Sequence, residues 1–176
     1  LISSNIEIIT KFIKKNKEVI IKPAYGNGGL GIQKIYFNKP NLNQFIKNYL
    51  KKFFNSPIIV QRFLKNFNKG DKRIILINGK IAGGVLRVPK TNSIKANFHA
   101  GGKPVKTNIT LKEKLICKKI KPFLIKNGLI FVGIDVIDGY LTEINITSPT
   151  GIQEINRLNN SKIEKNIIDF VFKLLQ

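Results

Sequence analysis

Six residues, Gly26-Asn27-Gly28-Gly29-Leu30-Gly31, constrain this 176-residue chain more than any other stretch. They satisfy G-x-G-x-x-G, a pattern that in dinucleotide-binding folds opens a helix whose N-terminus receives a pyrophosphate. Here Ile32 to Phe37, which follow, alternate as a strand does, and Val19 to Lys22 before them reads as a strand stopped by Pro23. The loop is therefore the tip of a two-stranded flap, and a Rossmann unit is excluded. Such a flap can close its backbone N–H groups over phosphates, with Lys22 placed to meet phosphate oxygens. Taken alone, the motif also fits a plain hairpin tip.

The rest of the chain alternates helices with hairpins. Asn5 can cap a helix carrying Ile6, Ile9, Phe12 and Ile13, and Pro40-Asn41 opens one carrying Leu42, Phe45, Ile46, Tyr49 and Leu50. Pro57 to Arg62 reads as a strand, and Ile74–Ile77 and Ile81–Arg87 flank the hairpin turn Asn78-Gly79. The stretch from Pro89 to Thr110 lacks periodicity and is expected to be a long functional loop. Leu111 to Lys126 and Lys162 to Leu175 read as helices, with Leu129–Ile137 and Leu141–Ile146 as strands between them. The pattern predicts an α+β domain built on antiparallel sheet.

Composition narrows the chemistry. The net charge is +21, which raises the question of a polyanion partner. Lys outnumbers Arg 27 to 4, however, and Lys, Ile and Asn, all with A/T-dominated codons, make up 78 of the 176 residues. A/T-rich mutational drift accounts for that basicity, whereas nucleic-acid surfaces lean on the bidentate reach of Arg. No apolar run approaches the roughly 20 residues of a membrane span. A lone Cys117 in an apolar helical pattern reads as a core thiol, and a lone His99 leaves little basis for a zinc site or an ordinary Ser/His dyad. Met is absent and Leu1 opens directly into a helical pattern, so the sequence is expected to be part of a longer translated chain.

Oxygen ligands remain. Glu143 and Asn145 lie at i and i+2 on one face of a strand, and Asp135 lies on the strand before it. A two-residue turn at Asp138-Gly139 would pair Ile134 with Glu143, whereas a three-residue turn, Asp138-Gly139-Tyr140, pairs Asp135 with Glu143. The longer turn is expected, because it collects Val132, Ile134, Val136, Thr142, Ile144 and Ile146 on one face. Two carboxylates about 4 Å apart repel by roughly 4 kcal/mol at an effective dielectric near 20, a cost that a divalent cation removes. Mg²⁺ suits such a site, since it takes a few carboxylates plus waters and phosphates. A solvated hairpin face is the alternative for this hairpin taken alone.

Taken in order, Lys22-Pro23, the glycine loop, Gly70-Asp71-Lys72-Arg73, Phe131-Val132-Gly133-Ile134-Asp135 and Leu141-Thr142-Glu143-Ile144-Asn145-Ile146-Thr147-Ser148-Pro149-Thr150 resemble bacterial glutathione synthetase. The likeness covers essentially all of residues 1–176, matched to that family's C-terminal ATP-grasp region. It implies an ATP-grasp fold of two α+β lobes with antiparallel sheets: a flap lobe at about 19–60 and a metal and substrate lobe at about 61–176. It also implies ATP-dependent joining of γ-glutamylcysteine to glycine through an acyl phosphate, with Mg²⁺ or Mn²⁺.

Carried over by position, Lys22, Gly26, Asn27, Gly28, Gly29 and Gly31 hold phosphates. Gln61, Arg62, Phe63 and Leu64 meet adenine, and Asp71 approaches the ribose. Arg73 and Arg87 hold substrate carboxylate and transferring phosphoryl, and their retention among only four arginines supports that role. Asp135, Glu143 and Asn145 bind the metal, while Arg73, Lys95, Asn97, Ser148, Pro149 and Thr150 cradle the peptide. Lys95 stands where the family commonly has Arg, which weakens bidentate capture there. The family's N-terminal domain, with a further nucleotide-contacting lysine, is missing, so these residues alone are expected to bind ATP weakly. The resemblance further implies a cytoplasmic, homo-oligomeric full-length enzyme without nucleic-acid or membrane partners. Its rivals are another ATP-grasp ligase, such as one adding glutamate to a ribosomal protein, and a non-catalytic polyanion-binding domain.

Overall fold

The computed structural model describes residues 1–25, 29–91, 93, 96–98 and 101–176. The chain divides into two compact units, Leu1–Lys65 and Asn66–Gln176.

In the first unit, helix α1 (Ile6–Asn16) starts where Asn5 Oδ1 accepts the Ile8 N–H at 3.0 Å, satisfying one of the donors a helix start leaves open. Strands β2 (Glu18–Pro23) and β3 (Gln33–Tyr36) pair antiparallel, with Ile21 opposite Gln33, as the alternation on either side of the glycine motif predicts. Helix α2 (Leu42–Lys52) and strand β4 (Ile58–Arg62) follow, and a short β1 (Ile2–Ser3) adds to β4. The sheet order is β1-β4-β2-β3. Its core joins Ile9 and Ile13 of α1 and Ile46 and Leu50 of α2 to Val19, Ile21, Ile58 and Val60 of the sheet. Each such side chain contributes about 1.5–3 kcal/mol on burial.

A 3₁₀ turn at Lys65–Lys69 spans the boundary, and the second unit carries a five-stranded antiparallel sheet among the described residues. Its strands are β5 (Asp71–Ile77), β6 (Lys80–Val88), β7 (Lys103–Val105), β8 (Phe131–Ile137) and β9 (Tyr140–Asn145), in the order β7-β6-β5-β8-β9. Asn78 and Gly79, both at positive φ, turn β5 into β6 as the Asn-Gly signal predicts. One face of the sheet packs on α3 (Leu111–Lys126) through Ile74, Leu76, Val132 and Ile134 against Cys117 and Leu124. Burial pushes the Cys117 thiol up to about 11, as suits a core residue.

The other face packs on α4 (Ile152–Asn159) and α5 (Ile163–Leu174) through Ile75, Ile77 and Val85. Gly83 is what lets these helices come close. A Cβ there would lie 2.7 Å from Ile155 Cγ2 and 2.9 Å from Ile163 Cδ1. Besides the two-residue β1 and the 3₁₀ turn, which the sequence reading did not single out, two further segments depart from it. β7 forms within the expected loop 89–110, and α4 is a helix that periodicity did not single out. Both are short, and neither has more than one wholly buried residue to mark its pattern.

Candidate active site

The decisive hairpin does not form as the hydrophobic pattern predicts. Ile137 pairs with Tyr140, so the turn is the two-residue Asp138-Gly139, both at positive φ. A β-bulge then shifts the ladder: Val136 faces Leu141 while Asp135 faces Glu143, leaving Thr142 as the extra residue. The expected pairing of Asp135 with Glu143 therefore holds, but the expected three-residue turn does not. Leu141, not Thr142, joins Ile144 against the α3 core.

Strand alternation then sorts the charges of β5. Lys72 points to the α3 face, where Nζ donates to Asn108 O at 2.8 Å and to Glu113 Oε2 at 2.9 Å. Asp71 and Arg73 point to the opposite face. There Arg73 grips Asp135 with two parallel bonds, Nε to Oδ1 at 2.5 Å and Nη2 to Oδ2 at 3.0 Å. Arg87 Nη2 bridges Asp71 Oδ2, at 2.5 Å, and Asp135 Oδ2, at 2.9 Å. With its amide assigned to satisfy both neighbours, Asn145 donates to Glu143 Oε1 at 2.9 Å and accepts from Arg73 Nη2 at 3.2 Å. Asp135, Glu143 and Asn145 thus share a face, with the two arginines among them.

All four ionic residues of this core, Asp71, Arg73, Arg87 and Asp135, are buried, whereas Glu143 is exposed. Burial would push Asp135 up, but its bond to Arg73 and the nearby Arg87 and Arg73 charges hold its carboxyl below the usual carboxylate value. Asp71 is pushed up to about 7, first by burial and then by the Asp135 charge, which Arg87 only partly offsets. The acids' mutual repulsion is thus relieved by guanidinium groups, a solution that reading the acids apart from the arginines overlooks.

Two polar atoms of the cluster, Asp71 Oδ1 and Arg87 Nε, are buried without a hydrogen-bond partner among the described residues. They mark the cluster as able to accept a further polar group. The donor set also fits a small hard cation. It is oxygen only, and the described residues hold no group of three or more His, Cys, Asp or Glu that would form a full protein cage.

Of the other expected site residues, Thr150 and Pro149 border this cluster. Arg73 Nη1 donates to Thr150 O at 3.0 Å, and the buried Pro149 packs so closely that a Cβ on Gly133 would meet its Cβ at 2.6 Å. Ser148 is exposed, with φ 50°. Asn97 O accepts the Gly102 N–H at 3.1 Å. Phe98, which the sequence did not single out, lies with its ring 5.8 Å from the Arg87 guanidinium carbon. Its signal was weak: one aromatic in an aperiodic stretch. Lys95 and His99 lie outside the described residues.

In the first unit, Lys22 stands on β2 opposite Ile59, and Gly31 (φ 77°) is closed in by Phe53 and held by Tyr49, whose hydroxyl donates to its carbonyl at 2.7 Å. Gly29 has φ 74°, while Gly26, Asn27 and Gly28 lie outside the described residues. Gln61 and Arg62 end β4, and Leu64 follows Phe63. Phe63 donates its N–H to Glu18 O at 3.0 Å, and its ring lies 3.7 Å from Lys34 Nζ, itself paired with Glu18 at 2.8 Å.

The family model of the prokaryotic glutathione synthetase ATP-grasp domain matches residues 1–160. The chain belongs to that family. It is 39% identical to glutathione synthetase of Agrobacterium fabrum over 173 residues, covering 98% of this chain and 54% of that one. It is 44% identical to glutathione synthetase of Mesorhizobium japonicum over 163 residues, covering 93% and 52%. The chain spans about half the length of these curated relatives.

Among solved structures, D-cycloserine synthetase is similar with TM-score 0.66 at 12% identity, over 91% of this chain and 57% of that one. D-alanine–D-alanine ligase of Bacillus anthracis complexed with ATP is similar with TM-score 0.57 at 15% identity, over 89% and 53%. These likenesses show the fold alone, and they bear out the expected α+β ATP-grasp class. Within this glutathione synthetase ATP-grasp domain, no described helix is long and apolar enough to cross a membrane.

Proposed function

We propose that this ATP-grasp domain serves ATP-dependent glutathione synthesis, in which the cysteinyl carboxylate of γ-glutamylcysteine is phosphorylated and the acyl phosphate is then attacked by the glycine amine. The observation that carries this reading is the gathering of Asp135, Glu143 and Asn145 with Arg73 and Arg87 on one sheet face. Phosphoryl transfer asks a protein for positioning and charge neutralisation more than for a general base, and among the described residues this cluster contains no histidine.

In this reading Asp135, Glu143 and Asn145 hold Mg²⁺ or Mn²⁺, which supplies charge neutralisation to phosphate oxygens. Arg73 and Arg87 hold the substrate carboxylate and the transferring phosphoryl group. Thr150, already bonded to Arg73, lines the peptide site with Ser148, Pro149, Asn97 and Lys95. Lys22 and the glycine loop meet phosphates, the segment 61–64 meets adenine, and Asp71 approaches the ribose. The unpartnered Asp71 Oδ1 supports that last role, because it can accept a hydroxyl.

ADP release by the full-length protein tests the proposal. γ-Glutamylcysteine plus glycine should outpace other carboxylate and amine pairs, and Glu143→Gln should abolish turnover without unfolding the protein. Release that ignores the identity of the amine and carboxylate would remove the substrate assignment.

A further inference from the structure

Asp135 belongs to the proposed cation site, yet its carboxylate is already engaged by two guanidinium groups. A carboxylate offers about four lone-pair positions. Arg73 Nε occupies one on Oδ1 and Arg73 Nη2 one on Oδ2, while Arg87 Nη2 holds Oδ2 in an ion pair at 2.9 Å. The Asn145 oxygen is likewise turned to Arg73 Nη2. A bare divalent cation arriving here meets a carboxylate already neutralised and two guanidinium charges beside it, both of which oppose its entry. An oxyanion changes that balance. Phosphate or carboxylate oxygens can take over the Arg73 and Arg87 N–H donors, returning the Asp135 and Asn145 oxygens to the cation. Arg87 Nε, buried and without a partner among the described residues, is a donor such an oxyanion can use at once.

We propose that Arg73 and Arg87 gate the cation site, so that a divalent cation enters only together with an oxyanion, the two exchanging partners across Asp135. This rests on the ligase reading and adds an order to it: cation and phosphate bind as a coupled pair. Thermodynamic linkage makes the coupling reciprocal, the cation tightening the anion by the same factor as the anion tightens the cation.

Free Mn²⁺, counted by its paramagnetic resonance signal, tests the gate on the purified protein, with protein-free controls at each phosphate concentration. Mn²⁺ alone should bind weakly, and inorganic phosphate should tighten it at least tenfold, a coupling of about 1.4 kcal/mol. Arg73→Gln, which removes one guarding charge but keeps hydrogen-bonding groups, should bind Mn²⁺ without phosphate at least tenfold more tightly than the parent protein and gain little from phosphate. Equal Mn²⁺ affinity with and without phosphate in the parent protein overturns the gate, whether or not the variant folds. Turnover without coupling removes the gate and leaves the ligase reading standing. Absence of both Mn²⁺ binding and turnover removes both.

Discussion

Thr142 Oγ1 donates to the Asp135 carbonyl oxygen at 3.0 Å, tying the bulged residue of β9 back to the strand it bulges away from. That bond closes the shift that places Asp135 opposite Glu143. Thr142→Ala should cost about 1 kcal/mol, the net value of one such bond, seen as a lower urea midpoint with an unchanged slope. A larger Mn²⁺ affinity loss than stability loss would locate the damage at the hairpin face.

Asp71 gives the fold a pH dependence of defined sign. Its carboxyl is raised from 3.8 to about 7, so the folded state binds this proton more tightly than the unfolded chain does. Stability from this group is complete below pH 4 and declines as pH rises through 7, by up to about 4 kcal/mol. Asp135 acts oppositely, but only below the ordinary carboxylate value, because its carboxyl is lowered. Thermal unfolding between pH 5 and 8 should therefore show a falling midpoint, and Asp71→Asn should flatten the slope. A slope unchanged in the variant would assign the titration elsewhere.

Much of this fold is legible because strand and helix periods are strong where one face is buried. α1, α2, α3 and the β5–β6 hairpin fall where Ile9 and Ile13, Ile46 and Leu50, Leu124, and Asn78-Gly79 put them. The β8–β9 pairing is legible too, though its cause is not. Periodicity treats every residue as paired, so it compensates for one unpaired Thr142 by lengthening the turn. The ionic cluster is the part that sequence conceals. Asp71, Arg73, Arg87 and Asp135 are separated by up to 64 positions, and only the β6-β5-β8 order makes them neighbours.

Gly133 tests how tightly the cluster is walled. A Cβ there would press on Pro149 at 2.6 Å and on Arg73 Cδ at 3.2 Å. Gly133→Ala should lower stability by about 1–3 kcal/mol through overpacking and displace Arg73 from Asp135. A crystal structure of the variant checks the displacement; an unmoved Arg73 would show that Pro149 alone absorbs the strain.

On the other face, Glu113 receives both the Lys72 ammonium, at 2.8 Å, and the Thr110 N–H, at 2.7 Å, so one carboxylate serves a buried ion pair and the cap of α3. Glu113→Ala should cost about 3–5 kcal/mol by stranding Lys72. The double change Lys72→Met with Glu113→Leu should recover much of that in denaturant titrations. A single variant no worse than the double would show that the ammonium reaches water.

The seven buried residues of β5 end in Ile74-Ile75-Leu76-Ile77, a stretch whose two sides are equally oily. Such a stretch has no preference for which side meets which helix, so hydrophobicity alone tolerates a strand entering the sheet one notch out of place. Asp71-Lys72-Arg73 removes that tolerance. Shifted by one notch, Lys72 would face the aspartates with a single-point charge in place of a fork, and Asp71 would confront Glu113. Two of these side chains, Asp71 and Arg73, thus belong to the ionic cluster, and with Lys72 on the other face they also fix the register of the strand that carries them.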